Sequence, residues 1–114
     1  MIRFYHNPRC SKSREALKLL QERSAPLEIV EYLKTPPSIE ELQQLCRALG
    51  VSPRQMMRSK EDDYVRLHLD DVSLEDKHLL QAIHNHPQLL ERPIAQLGDR
   101  AVIGRPPEQV LSLL

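Results

Sequence analysis

Neither sign of charge is in excess in this chain. Sixteen lysines and arginines stand against sixteen aspartates and glutamates, so the formal net charge is zero with histidine neutral. Nucleic-acid binders carry a basic surplus, and this balance speaks against nucleic acid as a partner. Any anion chemistry must come from a few converging cations, because no global field is available to it. Long apolar runs are missing as well. None approaches the roughly 18 residues that a membrane-spanning helix needs, so no membrane association is expected. The opening Met1-Ile2-Arg3-Phe4-Tyr5-His6 is too short and too polar for a secretory signal, and the expected location is the cytoplasm. Cysteine is scarce: Cys10 and Cys46 make no disulfide framework, and in a reducing compartment both start as thiols. No internal repeat or low-complexity stretch is present.

What remains is an ordinary globular composition, 40% apolar and 28% charged, over 114 residues. That length suits one domain, 1–114, and is too short for two. Met1 to His6 alternates apolar and polar residues and reads as a first strand. Asn7-Pro8-Arg9 breaks it, and from Ser11 the pattern becomes helical, with Ala16, Leu17 and Leu20 on one face. Leu27 to Leu33 reads as a second strand, which completes a βαβ unit with parallel strands and a right-handed crossover. After the rigid Thr35-Pro36-Pro37 connector, Ser38 and Glu41 form a capping-box pattern opening a helix that Gly50 stops. Ser52-Pro53 with Gln55 starts a short helix by the same logic. Glu61 to Leu69 reads as helical, and Ser73 with Asp76 is expected to cap a helix running toward Asn85. Ile94–Leu97 and Arg100–Ile103 flank Gly98-Asp99, a two-residue hairpin connection, and a last helix follows Pro107. The order βαβ, helices, ββα is α/β: a thioredoxin-like fold with a four-stranded mixed sheet and a helical insertion.

Cys10 holds the most informative position. It follows the first strand where a helix begins, so backbone N–H groups and the positive end of the dipole point at its sulfur. Arg9, Lys12 and Arg14 add nearby charge, and His6 ends the strand before it. Cysteines in such settings have pKa values depressed to about 3.5–7.5, and the same donors can cradle a tetrahedral oxyanion. The motif also excludes. Ser13 stands where a Cys-x-x-Cys pair would have its second thiol, so no dithiol cycle runs there. Ala16 stands six positions after Cys10, where a low-molecular-weight phosphatase would need arginine. Cys46 shares an apolar helix face with Leu42, Leu45 and Leu49 and reads as a core residue. Arg3, Arg23, Arg47, Arg54 and Arg66 read as solvated side chains. His78, His84 and His86 lack a matching cluster of ligands and read as helix residues, the latter two at a solvated C-terminal end, so no metal is expected.

The run Tyr5-His6-Asn7-Pro8-Arg9-Cys10-Ser11-Lys12-Ser13-Arg14 resembles the active-site segment of the glutaredoxin-coupled arsenate reductase family. Met56-Met57-Arg58, Glu91-Arg92-Pro93-Ile94 and Gly104-Arg105-Pro106-Pro107-Glu108 resemble further blocks of that family in the same order. The resemblance implies a thioredoxin-like fold and an arsenate reductase in which the Cys10 thiolate attacks arsenate. It implies Arg58, Arg92 and Arg105 as oxyanion ligands, with His6 and Ser13 supporting the thiolate and a cis bond at Arg92–Pro93. Glutathione is implied as co-substrate and glutaredoxin as partner, with no bound cofactor. The chain stops at Leu114, without the C-terminal extension of the well-known resistance enzymes, and so looks like a shorter housekeeping relative. Two other readings stay open: a glutathione-dependent thiol oxidoreductase with another substrate, and a regulator similar to the Spx proteins that bind RNA polymerase. Ser13 counts against the regulator, which senses oxidation with a cysteine pair.

Overall fold

The alternation along the first strand sorts its side chains to two faces. The computed structural model describes residues 1–114, and in it β1 (Ile2–His6) is a central strand. β2 (Leu27–Glu31) lies parallel to it on one side, and β3 (Ile94–Leu97) lies antiparallel on the other. β4 (Arg100–Ile103) pairs with β3 through the expected hairpin, giving the four-stranded order β2-β1-β3-β4. Gly98 takes the left-handed φ of 62° that this tight turn requires.

Ile2 and Phe4 face one side with Ala95. There they meet Ala16 and Leu20 of α1 (Ser11–Glu22) and Val110 and Leu113 of the C-terminal segment. Tyr5 and Ile94 face the other side and meet Leu42 and Leu45 of α2 (Ile39–Leu49). Leu69, the short 3-10 helix Pro53–Met56 and α3 (Asp62–Arg66) complete that second core together with α4 (Asp76–Asn85). Helices therefore cover both faces of the mixed sheet, and no helix is long and apolar enough to cross a membrane.

Local chemistry explains the boundaries. Ser38 and Glu41 close a reciprocal capping box at the head of α2, at 3.0 and 3.1 Å, and Gly50 ends the helix at φ 71°. β2 stops at Glu31, short of the expected Leu33, because the N–H groups of Lys34 and Thr35 both turn back to the Glu31 carbonyl. That turn carries Tyr32 into the interior, where it is 1% exposed. α3 is shorter than the pattern over Glu61–Leu69 implied, and the chain leaves it through His68 at φ 54°. α4 is capped by Glu75, not Ser73: the Glu75 N–H donates to the His78 ring at 3.0 Å, while Ser73 gives its hydroxyl to Asp71. The closing helix, Pro107–Leu113, is a 3-10 helix. Arg92–Pro93 is cis, as the resemblance implied, and Arg105–Pro106 is cis as well.

Two arginines expected in solvent are structural. Arg3 bridges Glu28 at 3.3 Å and Glu41 at 3.2 Å, tying β1 to β2 and α2. Arg54 donates to the Tyr64 hydroxyl at 2.9 Å, to the Leu69 carbonyl and to the Asp71 carbonyl at 3.1 Å, and so gathers the segment after α3.

Gly104 sets how closely the last loop approaches β3. Its N–H donates to the Pro93 carbonyl at 2.8 Å, and a Cβ there would lie 2.8 Å from Pro93 Cγ and 3.1 Å from Val110 Cγ1. Overpacking of this kind costs about 1–3 kcal/mol. Gly104→Ala is accordingly expected to lower the urea midpoint, followed by circular dichroism; an unchanged midpoint would mean that the loop yields freely.

Candidate active site

The site grows from the junction of β1 and α1. Cys10 is the residue just before the helix, with extended φ −94° and ψ 121°, and its N–H donates to the Asn7 carbonyl at 3.0 Å. Asn7 Oδ1 in turn accepts the Arg9 N–H at 3.0 Å, which closes the loop tightly. Beneath it lies Ser13, fully buried, whose hydroxyl oxygen accepts the Asn7 N–H at 3.0 Å and sits 2.7 Å from His6 Nδ1. The Ser13 proton has no other acceptor in the structure, which assigns it to His6 Nδ1 and puts the ring proton on Nε2. Burial lowers the His6 pKa, with Glu31 opposing and Arg14 assisting, so the ring is neutral near pH 7. His6 makes no hydrogen bond to Cys10; the contacts that link the two residues run through Ser13 and the loop.

Three arginines far apart in sequence come together beside this junction. Arg105 Nη2 lies 3.9 Å from Cys10 Sγ, and its Nε donates to the Arg92 carbonyl at 2.9 Å. Arg58 reaches the same place through a backbone clasp: Met57 pairs antiparallel with Leu90, the Arg58 N–H donates to Leu89 at 2.7 Å, and the Glu91 N–H donates to Met56 at 2.9 Å. Arg58, Lys60, Glu91, Arg92 and Arg105 line one open pocket of about 410 Å³. Cys10 stands at its Arg105 edge. Three larger hollows, about 510, 500 and 430 Å³, lie beside Cys46, beside Gly98 and beside His6 and Asn7; Arg47 is the one arginine of the first two and Arg9 of the third.

The half-buried Cys10 sulfur feels opposing influences. Partial burial pushes its pKa up, while the Ser13 and Lys12 N–H groups and the Arg92 and Arg105 guanidiniums pull it down; the balance falls below the ordinary thiol value. No side-chain cap of ordinary hydrogen-bond geometry is formed by Cys10, so those N–H groups act on the sulfur chiefly as oriented dipoles. The cations read from neighbouring sequence contribute less than expected: Lys12 acts through its backbone, and Arg14 donates to the Pro8 carbonyl at 2.9 Å. Cys46 differs in every respect. It packs 3.6 Å from Met56 Sδ, and burial, aided by Asp76, pushes its thiol up to about 11.

Tyr32 is a neighbour that sequence reasoning missed. Burial pushes its phenol up to about 12, although Arg92, Asn7 and Arg58 favour the phenolate, so it faces the site neutral. Its only sequence signal was its place in the connector after β2. The histidines found other work. His84 Nδ1 lies 2.8 Å from the Pro37 carbonyl, tying α4 to the connector, and His86 lies 3.8 Å from Asp63. His84 and His86 are thus partly buried packing residues and not a solvated helix end.

A profile of the ArsC family matches residues 5–113. The arsenate reductase of Neisseria meningitidis serogroup A is 50% identical over 114 residues, spanning 99% of this chain and 97% of its own length. Escherichia coli K12 has a relative called uncharacterized protein YfgD, also 50% identical over 114 residues, spanning 99% of this chain and 96% of its own length. Among solved structures, the arsenate reductase from Vibrio cholerae superposes with a TM-score of 0.96 at 48% identity, covering 99% of this chain and 97% of that one.

The contrast between the cysteines has a direct test. Iodoacetamide alkylation of the native protein across pH, read by mass spectrometry, is expected to label Cys10 with a midpoint below that of a free thiol, about 8.5. Cys46 is expected to stay unlabelled until the pH nears about 11 or the protein unfolds. Prior labelling of Cys46 would contradict the placement of both thiols.

Proposed function

The chain belongs to the ArsC family, and we propose that it is an arsenate reductase of the cytoplasm, with Cys10 as nucleophile and glutathione and glutaredoxin supplying the electrons. One juxtaposition carries this reading: the Cys10 sulfur at the head of α1 stands 3.9 Å from Arg105, which shares its pocket with Arg58 and Arg92. Guanidinium forks match pairs of oxyanion oxygens, and their charge offsets the repulsion that a thiolate would otherwise meet.

In the proposed cycle the thiolate forms a sulfur–arsenic bond and one arsenate oxygen leaves as water. The sulfur of glutathione then bonds to arsenic, and a second oxygen leaves as water. A glutaredoxin thiol attacks the glutathione sulfur; the electron pair of that sulfur–arsenic bond stays on arsenic, which becomes trivalent. Water then cleaves the Cys10–arsenic bond, releasing arsenite and restoring the thiol. One arsenate and two thiols thus give one arsenite, one disulfide and one water. Arg58, Arg92 and Arg105 hold the oxyanion, and His6 and Ser13 keep the loop in place. The second thiol comes from solution because Ser13 offers none and Cys46 lies in the core with its thiol raised to about 11.

The test is arsenate-dependent NADPH consumption with glutathione, glutaredoxin and glutathione reductase supplied. Turnover is expected to need every component, to vanish in Cys10→Ser and to survive largely intact in Cys46→Ser. Removing one oxyanion donor, as in Arg105→Ala, is expected to cost about 100-fold in kcat/KM. Sustained turnover with thioredoxin alone, or loss of activity in folded Cys46→Ser, would replace this scheme with an internal cysteine relay. Reduction of a glutathione mixed disulfide without arsenate turnover would point to the thiol oxidoreductase reading.

A further inference from the structure

Two of the site's arginines are engaged by carboxylates of the chain itself. Arg58 Nη1 lies 3.2 Å from Glu61 Oε2, with both side chains 27% exposed. Arg92 Nη1 lies 3.6 Å from Glu91 Oε1, and these side chains are 19% and 27% exposed. Arg105 has no carboxylate partner and turns to the Arg92 carbonyl and the Cys10 sulfur. Neither glutamate is anchored loosely. Glu61 opens α3 and donates its N–H to the Arg58 carbonyl at 3.1 Å, while the Glu91 N–H is fixed on Met56. Glu91 meets only part of its arginine's donor set, because Arg92 Nε is buried without a partner.

We propose that Glu61 and Glu91 are affinity-limiting residues: internal counter-anions that sit against Arg58 and Arg92 until a tetrahedral oxyanion displaces them. The inference rests on the reading of this pocket as an oxyanion site. Each carboxylate approaches its guanidinium through one oxygen and one nitrogen, as an ion pair, so it competes with an incoming oxyanion for the same positive charge. The displacement penalty falls on sulfate, phosphate and arsenate alike, which lowers ground-state affinity for all three together. Inert oxyanions then leave readily, whereas arsenate is drawn forward by its bond to Cys10. Discrimination thus lies in the chemistry that follows weak binding.

Glu91, beside Arg92, also tempers the field on the nucleophile. The groups facing Cys10 are the Arg92 and Arg105 guanidiniums and the Lys12 and Ser13 N–H groups, with the neutral Tyr32 phenol nearby. The Glu91 carboxylate beside Arg92 offsets part of that guanidinium's pull on the sulfur, so removing its charge strengthens the pull.

The test compares the full chain with Glu61→Gln, Glu91→Gln and the double variant, using Glu40→Gln on the exposed first turn of α2 as the control for net charge. Sulfate and phosphate are titrated as protectants of Cys10 against iodoacetamide. Each site variant is expected to lower the half-protecting concentration roughly two- to fivefold, the upper part of the range for solvent-exposed ion pairs. The pH midpoint of Cys10 alkylation should move down in Glu91→Gln, and KM for arsenate should fall with kcat nearly unchanged. Glu40→Gln should change none of these. Should Glu91→Gln fail to fold, Glu91→Asp, which retracts the carboxylate, is expected to shift in the same direction. Unchanged protection in the folded site variants, or an equal change in Glu40→Gln, would overturn the counter-anion role. Tighter sulfate protection without arsenate turnover in the wild type would uphold that role and remove the arsenate reading. Arsenate turnover with unaltered anion affinity in the variants would do the reverse.

Discussion

A single buried hydroxyl organises the junction on which the site is built. Ser13 Oγ, with no exposure to solvent, accepts the Asn7 N–H and faces His6 Nδ1. Without it two polar groups would lose their partner in the interior, at about 1–3 kcal/mol for each group left unpaired. Once Asn7 is fixed, the turn back to Cys10 is fixed, and the cysteine enters the helix in an extended conformation. Ser13 therefore acts in two directions, its hydroxyl inward and its N–H toward the sulfur. A second cysteine there would be a poor replacement, because a thiol is only a weak hydrogen-bond acceptor.

A chain with no net charge builds its positive pocket by topology. Arg58 follows the 3-10 helix Pro53–Met56, Arg92 leads into β3, and Arg105 follows β4; the Met57–Leu90 bridge and the hairpin bring these three segments together. Arg3 and Arg54 show that the residue type alone decides nothing. Arg3 is held between two carboxylates, and Arg54 is held by backbone carbonyls and a tyrosine hydroxyl. The site arginines differ in lining an open pocket next to a half-buried sulfur.

The sheet, its strand directions and the hairpin were legible in the sequence because they rest on local alternation, a βαβ spacing and a Gly-Asp turn. Cys10 was legible for a similar reason, since a strand–turn–helix junction leaves a plain pattern. The boundaries of β2, α3 and α4 were less so, because they turn on which of several polar groups wins a cap; Glu75 displaced Ser73 once Ser73 had bound Asp71. Only the family resemblance singled out Arg58 and Arg92, since their convergence depends on a backbone bridge between distant loops. Tyr32, Glu61 and Glu91 were illegible on the same grounds: each owes its place to a partner remote in sequence or to a turn that periodicity does not reveal.

The pairing of β1 with β3 has a consequence in time. Ribosomal synthesis delivers the N-terminal section first, so the sulfur of residue 10 emerges long before the segments carrying Arg92 and Arg105. β3 reaches its place between β1 and β4 only after nearly the whole chain exists. Until then Cys10 lacks the two guanidiniums that help to lower its pKa in the folded protein. The cations beside the sulfur are therefore assembled last, on closure of the sheet.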